Sequence, residues 1–326
     1  MRKEIIVTLI ITAFFLACRF IIPKPVQFSS LTSVLIVIVM ALAFLFILIL
    51  TLRGKLIERR VVFLFVGVSL VLPFFMQLPL PVQTSPEVQH LFDRLAQLPP
   101  GSKVLAAYDY DPPSAPELQP MADAFIKYAF DHDLKVIIMG LWPQGPQQAN
   151  LSVDAAFEEN PDLRNRIRDG VDYVNLGFQS GNEFVVLRMG ESFKSMFQTD
   201  QNYIPYDSIP LLKNVRNFSN VDLGIEFSAG KPGTVEWVQI AVDRHRLPLV
   251  SGNTAVQAPM AYPFLNAGQL VGLMGGMTGA AEFERLTGKP GKAATYLLSQ
   301  TFAHVVVMLF IVIGNVAFFR SREEKR

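Results

Sequence analysis

Residues 31–52 (LTSVLIVIVMALAFLFILILTL) run for 22 positions without one charged side chain. At 1.5 Å of rise per residue, a helix of that length reaches across the roughly 30 Å hydrocarbon core of a bilayer. The rest of the chain has to be compatible with that span. Three further apolar runs answer to the same reading. Residues 5–22 follow Arg2 and Lys3. Residues 61–81 contain Pro73, where a kink is expected, and end in Pro79 and Pro81. Residues 302–319 precede Arg320, Arg322, Lys325 and Arg326. A cleaved signal peptide shares the look of the first run, and Phe15-Leu16-Ala17-Cys18 hints at a lipoprotein cleavage site with Phe standing where Leu is usual. The expectation adopted is a retained helix.

The loop after the second run, Arg53-Gly54-Lys55-Leu56-Ile57-Glu58-Arg59-Arg60, carries four cations and one anion. Lys and Arg in short loops resist translocation, so this loop is expected in the cytoplasm. Alternation of four spans then puts the N-terminus and the basic C-terminus inside as well. Residues 82–301 fall outside as an extracytoplasmic domain on the cytoplasmic (inner) membrane. The lipid bilayer is thus the first expected partner. With 29 basic and 28 acidic residues the net charge is only +1, so no general attraction to nucleic acid is expected. One cysteine, Cys18, excludes an intrachain disulfide or a cysteine-based zinc site.

Between residues 82 and 301 short apolar runs alternate with helical patterns. Helices are expected over 85–97, 117–131, 161–169, 208–215 and 234–245. Strands are expected over 103–108, 135–139, 173–178 and 221–227, with a short last strand beginning at Leu249-Val250. Such alternation implies parallel βαβ units with helices on both faces: an α/β fold, a doubly wound and mostly parallel sheet of about five strands. Residues 188–201 depart from the scheme and read as a short helix, either an edge element or a flap.

From Leu247 to Ala281 there is no charge at all. A span over 260–281 would throw the basic C-terminus outside, so it is rejected. Gly268, Gly272, Gly276 and Ala280 recur every four residues. On one helix they would form a smooth stripe for close packing, within the domain or between protomers. His304 and Asn315, polar groups in the last run, point likewise to a helix bundle or an oligomer contact.

In open parallel sheets ligands sit beyond the carboxyl ends of the strands. The loops there supply the candidate ligand-binding residues Trp142, Ser180, Asn182, Lys231, Thr234, Asn253 and Thr254. The Ser228-Ala229-Gly230-Lys231-Pro232-Gly233-Thr234 loop reads as an anion nest or, more simply, as a helix cap by Thr234. The catalytic candidates are Asp109, Asp111 and Ser251. Asp109-Tyr110-Asp111 resembles the Asp-x-Asp motif of the haloacid-dehalogenase-like phosphatases, and the resemblance covers these residues only. It implies a metal-bound nucleophile, whereas Pro112 and Pro113 follow, the second strand ends in Gly140-Leu141-Trp142, and no later Asp-Asp pair occurs. The plain reading is a polar turn before a proline stop. Ser251 lacks the preceding glycine of a nucleophile elbow. The four histidines form no His-x-x-x-His pair, so no metal and no cofactor is expected. The expectation is a non-enzymatic membrane protein serving as scaffold, assembly subunit or ligand-sensing module, self-associating or joined to other membrane subunits. The alternative is an extracytoplasmic metal-dependent hydrolase using Asp109 and Asp111.

Overall fold

The computed structural model describes residues 30–53, 58–75, 83–288 and 291–323. The expected span at 5–22, Cys18, Pro79 and Pro81 lie outside the described residues. The chain divides into two compact units, Met1–Pro81 with Thr295–Arg326, and Val82–Ala294.

In the first unit, helix α1 is Ser30–Leu52 and helix α2 is Arg59–Val71. The C-terminal helix, Ala293–Glu323, supplies the third member. Two stretches are long and apolar enough to cross a membrane by length and composition: Leu31–Leu50, with mean hydropathy 3.3, and Ala293–Arg320, with 2.4. Phe44, Phe65 and Phe310 meet edge to face, with centroids 4.9, 5.2 and 5.9 Å apart. Ser299 Oγ donates to the Leu70 carbonyl at 2.6 Å. The expected third span differs. Its α-helix stops at Val71 and gives way to a 3-10 turn, Leu72–Phe75, that contains Pro73. Proline has no N–H for the Ser69 carbonyl, so the α-helical ladder is interrupted there, and residues 76–81 of the expected span lie outside the described residues. Asn315, expected to face another helix, donates to the Ile311 carbonyl of its own helix at 2.9 Å, and His304 is exposed.

The second unit is α/β. Helix α3 (Pro86–Ala96) leads into β1 (Lys103–Asp109), and α4 (Ala115–Asp131) into β2 (Lys135–Gly140). After α5 (Gly145–Glu159) and the short α6 (Leu163–Arg166) comes β3 (Tyr173–Phe178). Two short helices, α7 (Glu183–Met189) and α8 (Phe193–Met196), precede β4 (Leu223–Ser228). Helix α9 (Thr234–Trp237) runs straight into a π turn, Val238–Val242, before β5 (Leu249–Asn253). The unit ends with α10 (Ala258–Asn266), β6 (Gly272–Gly275) and α11 (Gly276–Leu286). All six strands are parallel, in the order β3-β2-β1-β4-β5-β6. This is the order of a doubly wound sheet whose crossovers reverse direction between β1 and β4.

Alternation along the strands divides the core. Leu105, Ala107, Ile137, Met139, Val174 and Leu249 face one helical layer, which includes Val186, Phe193 and Trp237. Val104, Ala106, Tyr108 and Phe227 belong to the opposite face, where the rings of Phe125 and Phe227 lie 6.1 Å apart.

Several expectations are corrected. The sheet has six strands instead of five, because part of the uncharged stretch forms β6. The glycine stripe therefore does not exist as one helical face. Gly268 has φ +73° just past the end of α10, and Gly276 has φ +57° where α11 begins. Gly272 starts β6, where a Cβ would stand 2.6 Å from Leu91, and only Ala280 is inside a helix, buried. A glycine past a helix end stops the helix, which breaks the four-residue period. Helix α5 falls in a stretch for which no element is expected, with Pro146 in its first turn, where a missing N–H loses nothing. The helix expected over 161–169 shrinks to α6, and that over 208–215 to the 3-10 turns Tyr206–Ser208 and Pro210–Leu212.

Candidate functional site

The face that carries Leu105 and Ala107 turns polar at its carboxyl end. Register pairs Asp109 with Ser228, Glu226 with Ser251, and Ser228 with Asn253. Period-two alternation puts all five on one face of the sheet, at the β1/β4 switch point. All five are buried. They are roofed by α9 and the loop before it. Asp109 Oδ1 accepts from the Leu141 amide at 2.6 Å, and Oδ2 from Trp237 Nε1 at 2.8 Å. Glu226 Oε2 accepts from Thr234 Oγ1 at 2.6 Å and lies 3.0 Å from Ser251 Oγ. Glu226 Oε1 has no partner. Burial without a cation raises the pKa of both carboxyls. Asp109 is pushed up to about 7, chiefly by burial, against the Leu141 and Trp237 hydrogen bonds and with help from Glu236. Glu226 goes well above the usual carboxylate range, first by burial and then by Asp109, against the Thr234, Ser251 and Ser228 hydroxyls.

The loop 229–233 closes over this cluster. Its Lys231-Pro232 bond is cis, and Trp142 Nε1 donates to the Pro232 carbonyl at 2.9 Å. Ser228 Oγ donates to the Gly230 carbonyl at 3.1 Å, and the Gly233 amide donates to Glu236 Oε2 at 3.0 Å. The glutamate therefore caps the short helix. Thr234, expected as the cap, points its hydroxyl inward to Glu226 instead. Lys231 is exposed and stands 3.3 Å from Glu236 Oε1, so an anion nest centred on it is not what the loop forms.

Of the sequence candidates, Asp109, Thr234, Ser251 and Asn253 come together in this cluster, with Trp142 on its roof. Thr254 is buried beside it, and its carbonyl accepts from the Gln257 and Ala258 amides where α10 begins. Asp111 does not join Asp109. It is half-buried and accepts from Ser114 Oγ at 3.0 Å, while Tyr110 between them is buried and donates to Gln119 Oε1 at 2.9 Å. Ser180 and Asn182 are exposed beyond β3, at the sheet edge. Asn182 has φ 51° and ψ −129°, a conformation that suits glycine. It borders an open depression of about 390 Å³ that Phe184, Leu187, Ile240 and Arg244 also line. A smaller cavity of about 130 Å³ lies among Lys127, Tyr128, His132 and Glu284. Among the described residues no group of three or more His, Cys, Asp or Glu side chains is placed to hold a metal.

Sequence reasoning missed Glu226, Glu236 and Trp237, and named Ser228 only as the start of the loop before α9. A signal existed: Glu226 is the one charge in the strand Leu223–Ser228, which is buried at every position.

The cluster can hold protons and fix loops. It is not arranged for attack on a substrate, because both Asp109 oxygens accept from the domain's own donors and solvent does not reach the side chain. Compared with protein-family models and with curated proteins, the chain finds no match in either.

Proposed function

We propose that the chain is a non-catalytic integral membrane protein. On this reading four helices anchor it, the basic clusters stay in the cytoplasm, and the α/β unit stands on the extracytoplasmic side as an assembly or sensing module. One observation carries the non-catalytic part: the strand-end carboxylates are consumed internally. Asp109 is sealed between Leu141 and Trp237, while Asp111 serves a separate turn. A hydrolase built on Asp109 and Asp111 needs both on one substrate. The membrane part is supported by the two long apolar helices and by the charge pattern.

Native mass spectrometry of the full-length protein from mild detergent tests the role. A defined oligomer or a stable complex, unchanged by Asp111→Ala, is the expected result. A monomer with Mg²⁺-dependent hydrolysis of a phosphate monoester that disappears in Asp111→Ala would overturn it. Sidedness is tested separately, with Gln147→Cys at an exposed position in a Cys18→Ala background. Reaction with an impermeant maleimide in intact cells is expected, and labelling only after lysis would reverse the topology.

A further inference from the structure

Four polar contacts close a ring at the switch point. Glu226 Oε2 lies 3.0 Å from Ser251 Oγ, which lies 2.9 Å from Asn253 Oδ1. Asn253 Nδ2 lies 2.7 Å from Thr234 Oγ1, which returns to Glu226 Oε2 at 2.6 Å. Each contact needs one hydrogen. Ser251 has one hydroxyl hydrogen and so has Thr234. The Asn253 amide, whichever way round it stands, offers a hydrogen to one of its two ring neighbours and an oxygen to the other. That makes three hydrogens for four contacts. The diagonal approach of Thr234 Oγ1 to Ser251 Oγ, 2.8 Å, only adds to the demand. No rearrangement of the three supplies a fourth.

We propose that Glu226 supplies it: the folded domain holds Glu226 as a neutral carboxylic acid, and this proton latches the strand-end loop 229–233 over the cluster. Thr234 is the link, since it is both a ring member and the first residue after that loop. The orphaned Oε1 fits as well. A buried oxygen without a partner costs less as the carbonyl of an acid than as half of a carboxylate. The charged groups around Glu226 favour the same state. From β1 comes Asp109, and from the roof come Glu236 and Lys231, the latter exposed and already paired with Glu236. β5 and α10 contribute no charge. Loss of the proton leaves one ring contact facing oxygen to oxygen beside a second carboxyl, and the latch loosens. The latch operates whether the domain is a scaffold or an enzyme, so it stands apart from the reading above.

Infrared spectroscopy of the full-length protein in detergent tests it. Asp109, itself lifted to about 7, is removed as a competing acid by Asp109→Asn. That variant is expected to show the carbonyl stretch of a buried protonated carboxyl at neutral pH, lost when Glu226→Gln is added. Glu226→Gln keeps a donor and an acceptor in the ring. Amide exchange of the double variant over residues 229–234, corrected for intrinsic rates, should therefore stay flat between about pH 6 and pH 9, while Asp109→Asn alone accelerates. If the double variant fails to fold, the band in Asp109→Asn still decides. Its absence from Asp109→Asn at neutral pH, or its survival undiminished in a folded double variant, would overturn the proposal. So would equal acceleration of loop exchange in Asp109→Asn and the double variant.

Discussion

Two groups of polar residues follow strands of the same sheet and end differently. Beyond β1, β4 and β5 the polar side chains turn onto one face, find each other, and are roofed by Trp142, the cis-proline loop and α9. Beyond β3, Ser180 and Asn182 stay in solvent, next to an open depression. The difference lies in the strand's position. β1 and β4 are interior strands at the switch point, where neighbouring strands on both sides supply partners. β3 is the edge strand, with one neighbour. A polar residue at an interior strand end is thus committed to structure, and one at the edge remains free to meet something else.

The largest expected consequence of the closed region is on pH. Asp109 has an ordinary carboxyl value of 3.8 and is lifted to about 7 in the folded chain. Between those values the folded state keeps a proton that the unfolded state releases. Stability therefore falls as pH rises from about 4 to about 7, by up to roughly 4 kcal/mol from this group alone. Glu226 extends the decline further upward. Urea unfolding of the detergent-solubilised protein, followed by tryptophan fluorescence, measures this directly, because both tryptophans of the chain belong to the cluster. Stability that rises across the same window would mean that the carboxyls are ionised and the region is not closed.

Glycine replacements separate the two regions next. A Cβ on Gly233 would stand 1.9 Å from Ser228 Oγ and 2.3 Å from the Gly230 carbonyl. Gly233→Ala must push the roof loop off its seat and is expected to cost about 3 kcal/mol. At the edge, Gly181 has φ +133° and a Cβ there meets only Val185 and Phe184 side chains, at 3.2 and 4.0 Å. Gly181→Ala is expected to cost about 1 kcal/mol, from backbone strain. Equal losses in thermal unfolding would erase the distinction. Trp142→Phe, which removes a single hydrogen bond to Pro232, should lose about 1 kcal/mol and speed exchange of the roof amides.

The sequence carries two of the apolar runs, the alternation and all five expected strand positions nearly as they stand, because buried parallel strands and long apolar helices are written in consecutive residues. It carries the rest poorly where partners are far apart in the chain. Nothing local to Asp109 says that its carboxylate will meet the amide of Leu141 and the indole of Trp237. Nothing near Thr234 separates a helix cap from a donor to Glu226, eight residues upstream on another element. The glycine period misled for a related reason. Regular spacing is a helix signal only if no residue in it ends the helix, and Gly268 at φ +73° does so. Proline misled too: Pro73 is expected to kink a continuing helix, and the α-helix ends just before it, at Val71.

The smallest expected effect bears on the open region. Asn182 holds φ 51° and ψ −129° with its side chain exposed. Such a conformation costs an L-residue about 1 kcal/mol or more, least for asparagine, which is enriched at positive φ, and glycine adopts it freely. Glycine also gives up about 0.5–1 kcal/mol through the greater freedom of the unfolded chain. Asn182→Gly should therefore be neutral to about 1 kcal/mol more stable in urea unfolding, opposite in sign to every substitution above. A clear loss of stability would mean that the Asn182 side chain makes a bond that holds the strained turn, and the edge would then be built much as the interior is. A gain would leave the strain without a structural reason. It would then direct binding assays to the depression beside Phe184 and Arg244, with Asn182→Gly as the variant expected to weaken whatever binds there.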